Sequence, residues 1–130
     1  MNIVLIGLGM VATTHVTAIQ SSDQGLKLRG VLGRDTARTA SFAIENGTQA
    51  YASVAQISGD IEVDFVILAT PPDARSEIVK TLVAAGKPIL MEKPIERYLA
   101  AATEIVETCE RASVPLGVVF QHRAREASIL

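Results

Sequence analysis

Residues 2–12 read "NIVLIGLGMVA", and the fold follows from how this stretch is divided. "NIVLIG" (2–7) is a continuous apolar run ended by glycine, which suits a strand buried on both faces better than a strand with one wet side. "GLGMVA" (7–12) then matches the pattern G-x-G-x-x-G/A with Ala12 in third place, and Val11, Ala12, His15, Ala18 and Ile19 continue at helical spacing. In a strand–turn–helix of this kind, Gly7 permits the tight turn and Gly9 lets the backbone approach a pyrophosphate. Ala12 is small enough for close helix–strand packing. The free N–H groups and the positive helix end attract the anion, so Gly7, Gly9, Met10, Val11 and Ala12 form a candidate cofactor-binding set. A glycine turn that merely joins strand to helix remains the plainer alternative.

Working outward, similar apolar runs occur at "LKLRGVLG" (26–33), "DFVILAT" (64–70), "PILME" (88–92) and "LGVVF" (116–120), with a weaker one near "TQAY" (48–51). Helical spacing separates them: Ala40, Ala43 and Ile44; Ile78, Leu82 and Ala85; Leu99, Ala102, Ile105, Val106, Cys109 and Ala112. Gly47 and the Gly86-Lys87-Pro88 run read as helix stops, and Ser53 as the cap of a short helix. Such alternation with short joints calls for right-handed crossovers. The expected fold is α/β: a doubly wound, mostly parallel sheet of about six strands with helices on both faces, the Rossmann dinucleotide-binding arrangement.

Composition agrees with one domain built this way. The 130 residues are 48% hydrophobic but only 4% aromatic, with no tryptophan, so the core must be aliphatic, as in helix-flanked parallel sheets. The formal net charge of −2, with scattered lysines and arginines, leaves no electrostatic footprint for nucleic acid or an anionic membrane and favours small-molecule partners. No apolar run reaches the ~18 residues of a membrane span, and "MNIVLIG" lacks the basic segment of a signal peptide, so a cytoplasmic protein is expected. The single cysteine, Cys109, excludes an internal disulfide and reads as core filler on a helix face.

At the end of the second strand, "VLGRDTAR" (31–38) places Gly33 where an NAD-binding fold carries Asp or Glu, about 20 residues after the glycine turn. A carboxylate there would hold the ribose hydroxyls and repel a 2′-phosphate. Glycine removes that repulsion, and an adjacent guanidinium can pair with the phosphate. Arg34, helped by Arg38, is therefore the candidate for NADP selection. The alternative is that both arginines are solvated and Asp35, two positions late, turns in to bind NAD. A methyltransferase would also want an acid at this point and finds none.

Two further strand ends carry unusual residues. In "ATPPDA" (69–74), Pro71 and Pro72 stiffen the turn after Thr70, and "LMEKP" (90–94) puts two opposite charges and a proline directly after a buried run. Ligands in an open parallel sheet sit at these carboxyl ends, near the switch between the first and fourth strands. An exposed ion pair closing a strand, contributing about 0–1 kcal/mol, would also explain Glu92 and Lys93.

Taken together, "GLGMVA", "ILATPPDARSEIV", "AAGKPILMEKPIE" and "VVFQHR" resemble the nucleotide-binding half of the glucose-fructose oxidoreductase and inositol dehydrogenase (Gfo/Idh/MocA) family, from Met1 to about Arg123. The resemblance implies an NAD(P)-dependent oxidoreductase acting on a sugar, cyclitol or related polyol or carbonyl, and the reading of Gly33 and Arg34 makes NADP the preferred cofactor. It implies diphosphate contacts at Gly7, Gly9 and Ala12, walls at Thr70, Pro71 and Pro72, and cofactor ribose or amide contacts at Glu92. It makes Lys93 the catalytic, substrate-side residue, aimed by a cis Lys93–Pro94 bond, because an ammonium can donate to a reacting oxygen and stabilise alkoxide charge. Arg123 is a substrate-cleft candidate, and no metal ligand is assigned. His15 has a histidine counterpart in the family's first helix, which packing explains equally well, so it receives no role.

The chain departs from the pattern at Arg75, where several relatives carry histidine, and at Glu126, near the place of a proline. Family members continue into a second α/β domain that completes the cleft and most of a homo-oligomer interface. Residues 1–123 are thus expected to form the dinucleotide-binding domain and 124–130 the start of a missing second one. The chain alone would be a truncated, inactive fragment. The alternative from another class is a stand-alone dinucleotide-sensing module, which would not need Lys93.

Overall fold

The computed structural model describes residues 1–119. Six strands, β1 (Asn2–Ile6), β2 (Lys27–Leu32), β3 (Gln49–Ala50), β4 (Phe65–Leu68), β5 (Ile89–Glu92) and β6 (Leu116–Val119), form one parallel sheet in the order β3-β2-β1-β4-β5-β6. Helices α1 (Ala12–Ser21), α2 (Thr36–Glu45), α3 (Val54–Gly59), α4 (Arg75–Ala84) and α5 (Leu99–Arg111) connect them, with a 3₁₀ turn at Pro72–Ala74 leading into α4. The expected doubly wound fold is the one found.

The unbroken apolar runs are explained by two cores, one on each face. Along β1, Ile3 and Leu5 pack with Val16 and Ile19 of α1 and Ala43 of α2, while Val4 and Ile6 pack with Ile57 of α3, Leu82 of α4 and Ile105 of α5. Because side chains alternate along a strand, only a strand apolar on both faces serves two such layers. Cys109 lies in the second core, where burial raises its thiol pKa, as expected of filler. Gly47 and Gly86 end α2 and α4 with φ of 64° and 70°, and the Ser53 hydroxyl caps α3 by accepting from the Gln56 N–H.

Several helix faces differ from the periodicity. Ala18 is exposed, and Val16 joins Ala12 and Ile19 on the buried face of α1. In α2, Ala40 is exposed and Ile44 is 80% exposed; Thr39 and Ala43 form the buried face. Thr39 tolerates burial because its hydroxyl accepts from the Gly33 N–H and donates to the Asp35 carbonyl. Ala85 is the exposed C-cap of α4, and Leu99, at 85% exposure, stands off the core in the first turn of α5. The strands are also shorter than the apolar runs, leaving Gly7, Gly33 and Thr70 in the loops that follow. Phe120, the expected end of β6, lies outside the described residues.

The β1–β2 register shifts between Ile3 and Val4, so that Leu28 and Gly30 are paired and Arg29 is skipped. The Arg29 guanidinium reaches both Asp60 carboxylate oxygens, at 2.8 and 3.2 Å. Tyr51 donates its hydroxyl to the same carboxylate at 2.6 Å, and Lys87 donates to the Asp60 and Val63 carbonyls. This polar knot ties β2, β3, α3 and the approach to β5 together.

Candidate functional site

The strand order reverses between β1 and β4, and there the loops that follow these two strands meet. Gly7 has φ of 103°, and a Cβ on it would lie 2.6 Å from the Ala69 carbonyl carbon and 2.7 Å from the Thr70 nitrogen. The glycine is required by the protein's own backbone. Gly9 differs, since nothing in the protein lies within 4 Å of a Cβ built there. The space beside it belongs to a cleft of about 780 Å³ at the carboxyl end of the sheet, a size suited to a small-molecule site.

Among the described residues, the backbone N–H groups of Gly9, Met10 and Val11 find no acceptor. Helix α1 begins just beyond them with no side-chain cap and no acidic residue in its first turn, so the positive end is uncompensated. Met10 and Val11 line the cleft. Ala12 does not; it is 1% exposed and acts through its smallness at the helix–strand contact. A pyrophosphate suits these donors in charge and geometry, and Gly9 leaves it room.

The cleft continues along Gly33, Arg34 and Arg38. Arg38 Nη2 donates to the Leu8 carbonyl at 2.7 Å, tying α2 to the glycine turn, while the exposed Arg34 has no hydrogen bond or ion pair among the described residues. Asp35 caps α2 through one carboxylate oxygen, which accepts from the Arg38 N–H at 3.0 Å. A Cβ at Gly33 would stand 3.1 Å from both Leu8 Cδ1 and Thr39 Oγ1, so an acidic side chain here requires those neighbours to yield.

On the far side of the switch point, Thr70, Pro71, Pro72, Glu92 and Lys93 line the same cleft. The Lys93–Pro94 bond is cis and Lys93 is exposed, as the resemblance implies. Thr70 Oγ1 is buried without a partner among the described residues, an unpaired group beside a space that a polar ligand could fill. The cleft thus gathers every predicted site residue except Ala12 and Arg123; the latter lies outside the described residues, as does segment 124–130.

Two participants were not assigned from sequence. His15 Nε2 is 2.7 Å from Glu92 Oε1, with side-chain exposures of 13% and 15%. Arg75, 1% exposed, donates to the carbonyls of Thr70, Glu92 and Pro94. The available signals were position alone: a histidine three residues beyond Ala12 on the first helix, and an arginine opening the helix after the proline turn. Among the described residues no three His, Cys, Asp or Glu side chains group as metal ligands, and no helix is long and apolar enough to cross a membrane.

A parallel sheet in this order, with a glycine turn at its switch point and free N–H donors facing a cleft, defines a dinucleotide-binding α/β domain. Residues 1–120 match the family described as "Oxidoreductase family, NAD-binding Rossmann fold", and the chain belongs to that family, Gfo/Idh/MocA. It is 32% identical over 131 aligned residues to inositol 2-dehydrogenase 2 of Saccharopolyspora erythraea, covering 100% of this chain and 39% of that protein. The scyllo-inositol dehydrogenase from Lactobacillus casei, solved with bound NAD(H) and scyllo-inositol, shares the fold at TM-score 0.85 and 20% identity, over 97% of this chain and 38% of that one. Biliverdin reductase from Synechocystis sp. PCC 6803, in complex with biliverdin and NADP+, does so at TM-score 0.83 and 23% identity, over 95% and 39%. The chain therefore spans about two-fifths of the length of these relatives.

Proposed function

We propose that this domain holds NADP in preference to NAD, for hydride transfer to or from a sugar, cyclitol or related polyol or carbonyl compound. The observation that carries the reading is the convergence of Gly9, Thr70 and Lys93, from three different strand ends, on one cleft. The bound nicotinamide would supply or accept the hydride. Gly9, Met10 and Val11 hold the diphosphate through their N–H groups, and Arg34 pairs with a 2′-phosphate that Gly33 does not repel. Pro71 and Pro72 wall the nicotinamide end, and Glu92 accepts hydrogen bonds from ribose or amide. Lys93 donates to the reacting substrate oxygen and stabilises the charge that develops on it.

Hydride transfer needs substrate and nicotinamide within a few ångströms of each other and shielded from water. We assign the remaining shielding to a second domain following residue 123, against which Arg123 would complete the substrate side of the cleft, in keeping with the greater length of the relatives. The 130 residues alone should bind the dinucleotide and turn over little. The exposed Tyr98 and Leu99 at the start of α5 support self-association, which a concentration-independent monomer mass in sedimentation would exclude. We place the reaction in the cytoplasm, which holds nicotinamide dinucleotides and keeps thiols such as Cys109 reduced.

Calorimetric titration with NADP and NAD tests the cofactor reading. The parent chain should bind NADP more tightly, and Arg34→Ala should remove that preference. Binding of neither dinucleotide defeats the cofactor assignment. Tighter binding of NAD defeats only the role given to Arg34, which this substitution isolates better than Gly33→Asp because it introduces no Cβ beside Leu8 and Thr39.

A further inference from the structure

Arg75 is a cation in the wrong place for a surface residue. It is 1% exposed, and among the described residues no carboxylate pairs with it. Its bonds go to main-chain oxygens instead. Nε and Nη2 both donate to the Thr70 carbonyl, at 3.0 and 2.7 Å, and Nη1 donates to the carbonyls of Glu92 and Pro94. Removing a guanidinium from water is costly unless such acceptors surround it.

The three oxygens come from two segments about twenty residues apart in the chain, the loop after β4 and the end of β5 with the loop that follows it. These loops leave neighbouring strands, since Leu68 pairs with Met91 in the sheet. Beyond that pair the sheet's own ladder between them stops, and Arg75 supplies the next tie. A planar fork with donors on two sides can hold both loops at once. A lysine ammonium presents one nitrogen and an imidazole at most two N–H groups, so neither reproduces the bridge.

We propose that Arg75 is a positioning residue for the cofactor cleft: it fixes Thr70 and the Glu92–Lys93 pair at a set separation, so that both face the nicotinamide half of a bound dinucleotide. The inference rests on the cofactor reading above. It assigns Arg75 to the main chain of the Glu92 loop, whereas His15 holds the Glu92 side chain from the opposite quarter.

Arg75→Lys and Arg75→Met provide the test, with two readouts. Amide hydrogen exchange of the ligand-free chain should rise about tenfold or more in segments 69–74 and 92–97, the loss expected when charged hydrogen bonds go, while β1 and β2 keep their protection. NADP affinity should fall by about the same factor, and affinity for adenosine 2′,5′-bisphosphate, which lacks the nicotinamide half, should not change. Unaltered exchange in the two loops overturns the proposal. So does a rise spread evenly over all strands in both variants, which would make Arg75 a general core residue, or equal loss of both ligands. Loosened loops with undiminished NADP affinity overturn the positioning role. Failure of the parent chain to bind NADP would instead defeat the cofactor reading and the nicotinamide part with it, while the exchange comparison still decides whether Arg75 ties the loops.

Discussion

His15 Nε2 and Glu92 Oε1 stand 2.7 Å apart, joining the first turn of α1 to the last residue of β5 across 77 positions of sequence. Both side chains are largely removed from solvent, so the bond orients a carboxylate that would otherwise sweep the cleft mouth. His15→Ala should lower dinucleotide affinity roughly three- to tenfold while barely altering the melting temperature, because a hydrogen bond to a charged group is lost at the site and no core residue is touched. His15→Gln, which retains a donor, should recover part of the loss. Equal affinities for parent and His15→Ala in calorimetry would remove His15 from the site.

The two glycines of the first loop should fail in different ways. Gly7→Ala drives a Cβ into the Ala69–Thr70 backbone from a left-handed φ, and should destabilise the fold by at least about 2 kcal/mol in denaturant titration. Gly9→Ala meets no protein atom within 4 Å, so stability should stay within about 0.5 kcal/mol of the parent. Its dinucleotide affinity should nonetheless collapse, because the new methyl group occupies the space left for the diphosphate. Undiminished affinity in Gly9→Ala would show that the space serves something else.

A third glycine acts on the fold away from the glycine turn. A Cβ on Gly30 would lie 2.2 Å from Tyr51 Cε2, so the ring packs over β2 only because this position has no side chain. Tyr51 is 4% exposed and its hydroxyl is bonded to Asp60, which leaves the ring little freedom to move aside. Gly30→Ala should cost about 1–3 kcal/mol in denaturant titration. Adding Tyr51→Ala should make the Gly30→Ala change close to neutral; persistence of the full cost would place its cause elsewhere.

The legible features were those with a local physical cause. Uninterrupted apolar runs in β1 and β4 announce burial on two faces, and a glycine pair between strand and helix announces a backbone approached by something. The misread helix faces have causes beyond the local pattern. Thr39 replaces Ile44 on the buried face of α2 because its hydroxyl is satisfied by the Gly33 and Asp35 backbones, which periodicity does not register. Arg75 is buried because three carbonyls converge on it from two loops, and only the paired strands bring them there. His15 and Glu92 are likewise ordinary residues until β5 takes its place in the sheet.

The Asp60 knot should govern stability at both extremes of pH. Hydrogen bonds from Arg29 first, and then from Tyr51, hold the Asp60 carboxyl well below the ordinary carboxylate range. Its contribution is therefore full above the unfolded value of about 4 and drains away as pH falls toward the lower folded one. Burial first, and then the bond to Asp60, pushes the Tyr51 hydroxyl up to about 12. That contribution is complete below the unfolded value of about 10 and is lost as pH rises through the folded one. Asp60→Asn should lower the melting temperature at pH 6, with the gap to the parent narrowing at pH 3. Tyr51→Phe should melt below the parent at pH 8, and the gap should close as pH rises from 10 to 12. Gaps that stay constant across these windows would mean that the knot acts by packing alone, with its charges contributing nothing.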